Sequence, residues 1–164
     1  MKKIGRILMG AAVAMVSYSA SAELAPQWSK GTMLINANFG VIETGADFSL
    51  DYVLVDEWWK GHFTVGGEFD FSVPPYNESA FGFTPRATYG LNITPNFEVH
   101  ASVGVGFGIR NYKNGDDKIV SDSFVMYNDF VGCRFFFTEN VAAFAEMGYS
   151  YYFSGYRLGV SFKF

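Results

Sequence analysis

From about residue 30 onward the chain alternates apolar and polar positions with a period of two. That is the repeat of a strand with one greasy face and one polar face. The last nine residues show it most clearly: Tyr156, Leu158, Val160, Phe162 and Phe164 are apolar, and Arg157, Gly159, Ser161 and Lys163 between them are small or charged. Eight such segments succeed one another, at roughly 30–41, 47–56, 62–73, 83–93, 97–109, 123–137, 141–152 and 156–164. In the fifth, Phe97, Val99, Ala101, Val103, Val105 and Phe107 alternate with Glu98, His100, Ser102, Gly104, Gly106 and Gly108. Pro95-Asn96 and Glu139-Asn140 mark tight turns, each following a threonine and leading into an apolar strand.

Alternation alone fits two architectures, a water-soluble barrel or sandwich with its apolar face inward and a membrane barrel with that face outward. The polar face separates them. It carries Gly40, Gly66, Gly90, Gly104, Gly106, Gly108, Gly132, Gly148 and Gly159, and glycine weakens a strand without benefit on a solvated surface. In a cramped interior it leaves room for a long side chain opposite. The same face bears Asp51, Glu68, Asp70, Glu98 and Glu146 against Arg86, Arg134 and Arg157. These eight are expected to form a lumen charge network. Aromatic residues gather at the segment ends: Trp58, Trp59, Tyr89, Phe97, Phe135, Phe137, Phe162 and Phe164 towards one rim, and Phe48, Phe71, Phe107, Tyr149, Tyr151 and Tyr156 towards the other. Rings favour the headgroup zones of a bilayer, which predicts two girdles.

The expected fold is therefore all-β, an eight-stranded antiparallel transmembrane up-and-down β-barrel. Closure is required because an open edge leaves backbone groups unpaired in lipid. The interior of an eight-stranded barrel is just filled by side chains, so the ion pairs read as a plug in preference to an ion path. Asp129 falls on the apolar face, and a β-bulge there would turn it inward.

Residues 1–22 read as a cleaved signal peptide, with Lys2, Lys3 and Arg6 at its start, an apolar stretch over 7–16 and an A-x-A site at Ala20-Ser21-Ala22. That leaves 23–164 as one barrel domain. The signal holds three of the twelve Lys+Arg and none of the sixteen Asp+Glu, so the remainder is acidic, and a nucleic-acid partner, which needs a basic surface, is not expected. Cys133 is the single cysteine, so no intrachain disulfide can form.

At this point the chain resembles the small outer-membrane barrel families of the OmpX, OmpW and OmpA-barrel type. The resemblance is strongest over 135–149, where a short T-x-N turn (Thr138-Glu139-Asn140) enters a strand ending in Gly148-Tyr149. The terminal strand, with Tyr156, Leu158, Val160, Phe162 and Phe164 on one face, resembles the assembly signal of such proteins. The resemblance implies outer-membrane lipid and the barrel assembly machinery as partners, host or environmental ligands at the surface, and localisation in the outer membrane of a diderm bacterium. It also implies periplasmic termini, with external connections at 42–46, 74–82, 110–122 and 153–155 and periplasmic turns at 57–61, 94–96 and 138–140.

Some barrels of this size are enzymes that need a histidine near the outer leaflet to activate a nucleophile. His62 and His100 fall one and four residues beyond periplasmic turns, at the other end, so no catalytic residue is expected. Gly104-Val105-Gly106-Phe107-Gly108 is mid-strand and opens no helix, so it is not a nucleotide loop. Asp116, Asp117 and Asp122 do not have the spacing of a calcium loop, and Asn77-Glu78-Ser79 matches a glycosylation sequon of little weight in a bacterial-type protein. No metal or cofactor is expected. The role read from the sequence is non-enzymatic, structural or adhesin-like, with Tyr76, Phe81, Tyr112 and Lys113 as external loop contacts. The competing role is a narrow channel for small or hydrophobic solutes, as in OmpW-like proteins.

Overall fold

The structure, a computed structural model, describes residues 28–41, 45–59, 61–72, 78–115 and 118–164. The expected signal peptide, Tyr76, Asn77, Asp116 and Asp117 lie outside the described residues.

Among the described residues are eight strands: β1 (Met33–Gly40), β2 (Gly45–Trp58), β3 (Gly61–Ser72), β4 (Ser79–Thr94), β5 (Phe97–Lys113), β6 (Ile119–Phe136), β7 (Val141–Ser150) and β8 (Tyr156–Lys163). Each pairs antiparallel with the next, and β8 returns to β1 through Leu34–Lys163 to Gly40–Arg157. The barrel is closed. Both chain ends of the ring and the turns after β2, β4 and β6 share one rim, called here the near rim; the connections after β1, β3, β5 and β7 share the far rim. Local chemistry fixes the turn after β6: the Thr138 hydroxyl accepts from the Val141 N–H (3.0 Å) and the Asn140 N–H (3.3 Å), the hydroxyl turn that such a sequence favours.

Orientation is unambiguous. Val103 and Val105 are 54% and 60% exposed on the outer wall, and Leu158 and Val160 are 54% and 42% exposed. The charged face turns inward, where Glu68, Glu98, Arg134, Glu146 and Arg157 are buried. The protein is inside out relative to a water-soluble barrel.

Three sequence expectations need correction. No bulge lies at Asp129, because the β5–β6 register runs unbroken from Phe97–Phe135 to Lys113–Ile119. Asp129 therefore stays on the outer wall between Val103 and Tyr149. Among the described residues, register shifts fall in β2–β3 between Val53 and Trp58 and in β4–β5 between Asn92 and Thr94, at the near rim. Second, β5 and β6 are longer than their apolar stretches, and much of the expected loop 110–122 is hairpin. Phe81 lies in β4, and Tyr112 and Lys113 lie in β5. Backbone pairing does not need a greasy face; beyond the apolar belt the strands continue with polar and apolar side chains mixed on each side, which hid them. Third, the lumen is not polar throughout. Leu34, Val53, Phe136 and Ala142, with Trp28, form an apolar layer at the near rim, and Ala80, Met126 and Phe153 form another towards the far rim.

Candidate functional site: the filled lumen and the far rim

Between the two apolar layers the lumen holds two ion clusters. In the first, Arg86 of β4 reaches Asp51 of β2 with Nε (2.9 Å) and Glu68 of β3 with Nη1 (2.8 Å). Arg157 of β8 meets the same Glu68 with Nη1 (3.0 Å), Asp70 with Nη2 (2.9 Å) and Asp47 with Nε (3.3 Å). Glu68 thus bridges two guanidiniums and also accepts from Asn128 Nδ2 at 2.9 Å. The Arg157 guanidinium carbon sits 3.9 Å from the centre of the Phe130 ring, a cation–π contact that is worth more away from water.

In the second cluster, Arg134 of β6 donates to Glu98 of β5 (2.6 Å) and to the Ser161 hydroxyl of β8 (3.0 Å). His100 lies between two carboxylates, with Nδ1 3.5 Å from Glu98 Oε1 and Nε2 2.9 Å from Glu146 Oε1. His62 stacks on Trp28 at 4.0 Å between ring centres and approaches Glu98 Oε2 at 3.7 Å. The eight sequence-chosen lumen residues are thus brought into two groups. Asp47, His62, His100 and Asn128 join them, and the signal for these was their inward parity on the same strands; Asn36 of β1 joins as well, donating from Nδ2 to Asp51 at 2.9 Å.

The glycines explain how so many long side chains fit. A Cβ on Gly90 would collide with the His62 ring, and one on Gly132 would stand 2.7 Å from Glu146 Cγ and 2.8 Å from His100 Nε2. Both positions are space made for a neighbour.

Among the described lumen residues, six carboxylates (Asp47, Asp51, Glu68, Asp70, Glu98, Glu146) face three guanidiniums (Arg86, Arg134, Arg157). Both imidazoles face carboxylates inside the barrel, His100 Nε2 at 2.9 Å from Glu146 and His62 Nε2 at 3.7 Å from Glu98. Among the described residues no group of three or more His, Cys, Asp or Glu side chains is arranged to hold a metal ion.

The far rim is built differently. Arg110 donates to Asp122 (3.1 Å) and to the Tyr152 hydroxyl, and it packs 5.0 Å from the Tyr112 ring centre. Tyr152 adopts a left-handed φ of 69°, a costly conformation for an aromatic residue. Its ring lies 4.8 Å from Phe124, and with Phe153 it folds the 151–155 connection over the inner face of β6. On the outer wall an open apolar groove of about 970 Å³ lies over β4–β8, floored by Ala101, Cys133 and Ala145.

No protein-family model matches the chain, and no curated protein matches it. Solved structures do match. The N-terminal β-barrel domain of Pseudomonas aeruginosa OprF is 21% identical, with 84% of this chain and 100% of that one covered at a TM-score of 0.63. Ail, the attachment invasion locus protein of Yersinia pestis, is 15% identical over 83% of this chain and 100% of its own, with a TM-score of 0.54. Neisserial surface protein A is 12% identical over 80% and 92%, with a TM-score of 0.51. At these identities the likeness speaks for architecture: the chain has the fold of the small eight-stranded outer-membrane β-barrels.

Proposed function

We propose that this protein is an integral outer-membrane barrel, closed to solutes and without enzymatic activity, that acts through the surface its far rim presents to the outside. The observation that carries this reading is the filled lumen. A channel needs a continuous wet path, whereas here two ion clusters interlock across the bore and apolar layers stop both ends. The apolar outer wall supports lipid as its surroundings, since only closed barrels and helices satisfy their backbone within a bilayer. On this reading residues 1–22 direct export, the near rim faces the periplasm, and the outward-facing terminal residues Tyr156, Leu158, Val160, Phe162 and Phe164 engage the barrel assembly machinery.

An adhesin-like role agrees with the architecture that the chain shares with Ail, an attachment invasion locus protein that has been crystallised with a heparin analogue. This far rim does not present the basic surface a sulfated polyanion would need. Arg110, Lys113 and Lys118 stand against Glu78 and Asp122, and the chain carries Asp116 and Asp117 besides. A protein partner fits better.

Single-channel recording in planar bilayers tests the reading. Silence is expected. Reproducible conductance that changes in Arg134→Gln or Glu98→Gln would replace it with the narrow-channel reading, and the carboxylate excess would then make the pore cation-selective.

A further inference from the structure

We infer that the outer wall carries a site for one membrane lipid with an ammonium group in its headgroup. The ammonium pairs with Asp129, and an acyl chain lies in the groove floored by Ala101, Cys133 and Ala145. This rests on the reading that the apolar outer wall is surrounded by lipid.

Asp129 is the odd residue on that wall. The β5–β6 register runs unbroken past it, so its side chain points away from the bore. Its cross-strand neighbours are Val103 on β5 and Tyr149 on β7, and the β6–β7 ladder ends at the next pair, Asn128–Ser150. The carboxylate thus sits just inside the level at which the barrel stops being closed, where acyl chains give way to headgroups. The residue is half-buried, and its Oδ1 is buried with no hydrogen-bond partner among the described residues. The arginines of this belt do not supply one: Arg86, Arg134 and Arg157 face the bore and are held there by Asp51, Glu98 and Asp70. A charge withdrawn from water needs a counter-charge. Here it comes from outside the protein.

The surroundings of Asp129 favour an ammonium over a metal ion. Tyr149 lies directly across the strand pair, with Cβ atoms about 5 Å apart. Tyr127 follows on the same face of β6, about 7 Å along the strand. Both tyrosines are exposed on the outer wall, at 53% and 46%. A carboxylate flanked by aromatic rings is the chemistry that holds ammonium groups. A calcium ion, by contrast, takes about six to eight oxygen ligands, and a single carboxylate falls far short of that.

The groove supplies the other half of the site. Two adjacent rows of outward side chains make it, one in register from Leu91 through Cys133 and Ala145 to Leu158, the next from Tyr89 through Ala101 to Tyr156. Small side chains in the middle of larger ones leave the trough. The row crosses five strands, a span of roughly 19 Å. Because such strands tilt about 40°, it climbs only about 12 Å along the membrane normal, within the roughly 15 Å of hydrocarbon that one leaflet provides. Val131 joins the two halves: it lines the groove and stands two residues from Asp129 on the same face of β6. A lipid whose ammonium meets Asp129 therefore has its chain at the entrance to the trough.

The test uses the whole protein in nanodiscs of equal parts phosphatidylethanolamine and phosphatidylglycerol with identical acyl chains. After release into mild detergent, native mass spectrometry identifies the lipids that stay bound. One phosphatidylethanolamine is expected to remain, preferred about tenfold over phosphatidylglycerol. Asp129→Asn should abolish the preference with the unboiled gel mobility of the folded barrel unchanged, and Asp129→Glu, which keeps the charge, should preserve it. Ala145→Leu fills the floor and should lower the retained phosphatidylethanolamine about tenfold. Equal retention of the two lipids by the unaltered protein, a preference that survives Asp129→Asn, or retention indifferent to Ala145→Leu would each overturn the inference. So would a groove occupied by a second copy, seen as dimers without lipid, or a phosphatidylglycerol preference that requires calcium and vanishes with a chelator. A folded barrel recovered in nanodiscs without lipid preference sinks this inference alone, whereas a chain that does not enter nanodiscs as a folded barrel sinks the lipid-facing reading beneath it.

Discussion

β5 and β6 pass through two environments, and their lower and upper parts follow different rules. Between Phe97 and Gly104 of β5, opposite Asn128 to Phe135 of β6, both strands have neighbours on both sides; their outward residues are apolar except Asp129, and their inward ones are charged, polar or glycine except Phe130. From Tyr127 to Ile119, β6 has a partner on one side only. Its outward face mixes Val125 and Ile119 with Ser123 and Ser121. An unpaired backbone row is intolerable in hydrocarbon and ordinary in water. The last β6–β7 pair, Asn128–Ser150, thus marks the level at which lipid must end, independently of the aromatic residues nearby. The closed part is constrained by solvent, and the open part is constrained only by its hairpin.

The largest break in that contrast should come from the lumen. Glu68→Ala leaves Arg86 and Arg157 each without an acceptor they now share, and stranding buried charge costs about 3–5 kcal/mol. Urea unfolding in lipid vesicles should register the loss, whereas Asp122→Ala, which frees only the partly exposed Arg110, should change stability by less than about 1 kcal/mol. Equal effects would mean the two regions are energetically alike.

A charge on the outer face gives the next largest separation. Val103→Arg places a cation in the apolar belt and should cost about 2–4 kcal/mol by the same measurement. Ile119→Arg, in the hairpin extension, should cost less than about 0.5 kcal/mol. A costly Ile119→Arg would place that segment in lipid and remove the free edge from water.

A smaller effect is expected from filling a space reserved for a side chain. Gly90→Ala forces the His62 ring off its seat on Trp28 and should cost about 1–3 kcal/mol through overpacking. Gly115→Ala, where an added Cβ meets nothing within 4 Å, should be close to neutral. Indole fluorescence would report the first change if Trp28 loses its stacked partner.

The period-two alternation, the glycine-rich charged face and the paired turn signals made the strand number, order and inside-out orientation legible, because each strand face meets a single solvent over most of its length. The same rule identified Asp51, Glu68, Asp70, Arg86, Glu98, Arg134, Glu146 and Arg157 as inward residues. Which carboxylate meets which guanidinium was not legible. Glu68 and Arg157 are far apart in the chain and are joined only by closure of the ring and the tilt of its strands. Phe136, Met126 and Leu34 broke the polar parity, and only the ends of the bore explain them, since an apolar stopper there meets neither lipid nor bulk water. The hairpin beyond Phe107 was hidden for the opposite reason. Where both faces are wet, alternation carries no message, so the strand register of β5 and β6 settled by hydrogen bonding alone, and with it the edge left open at 119–127.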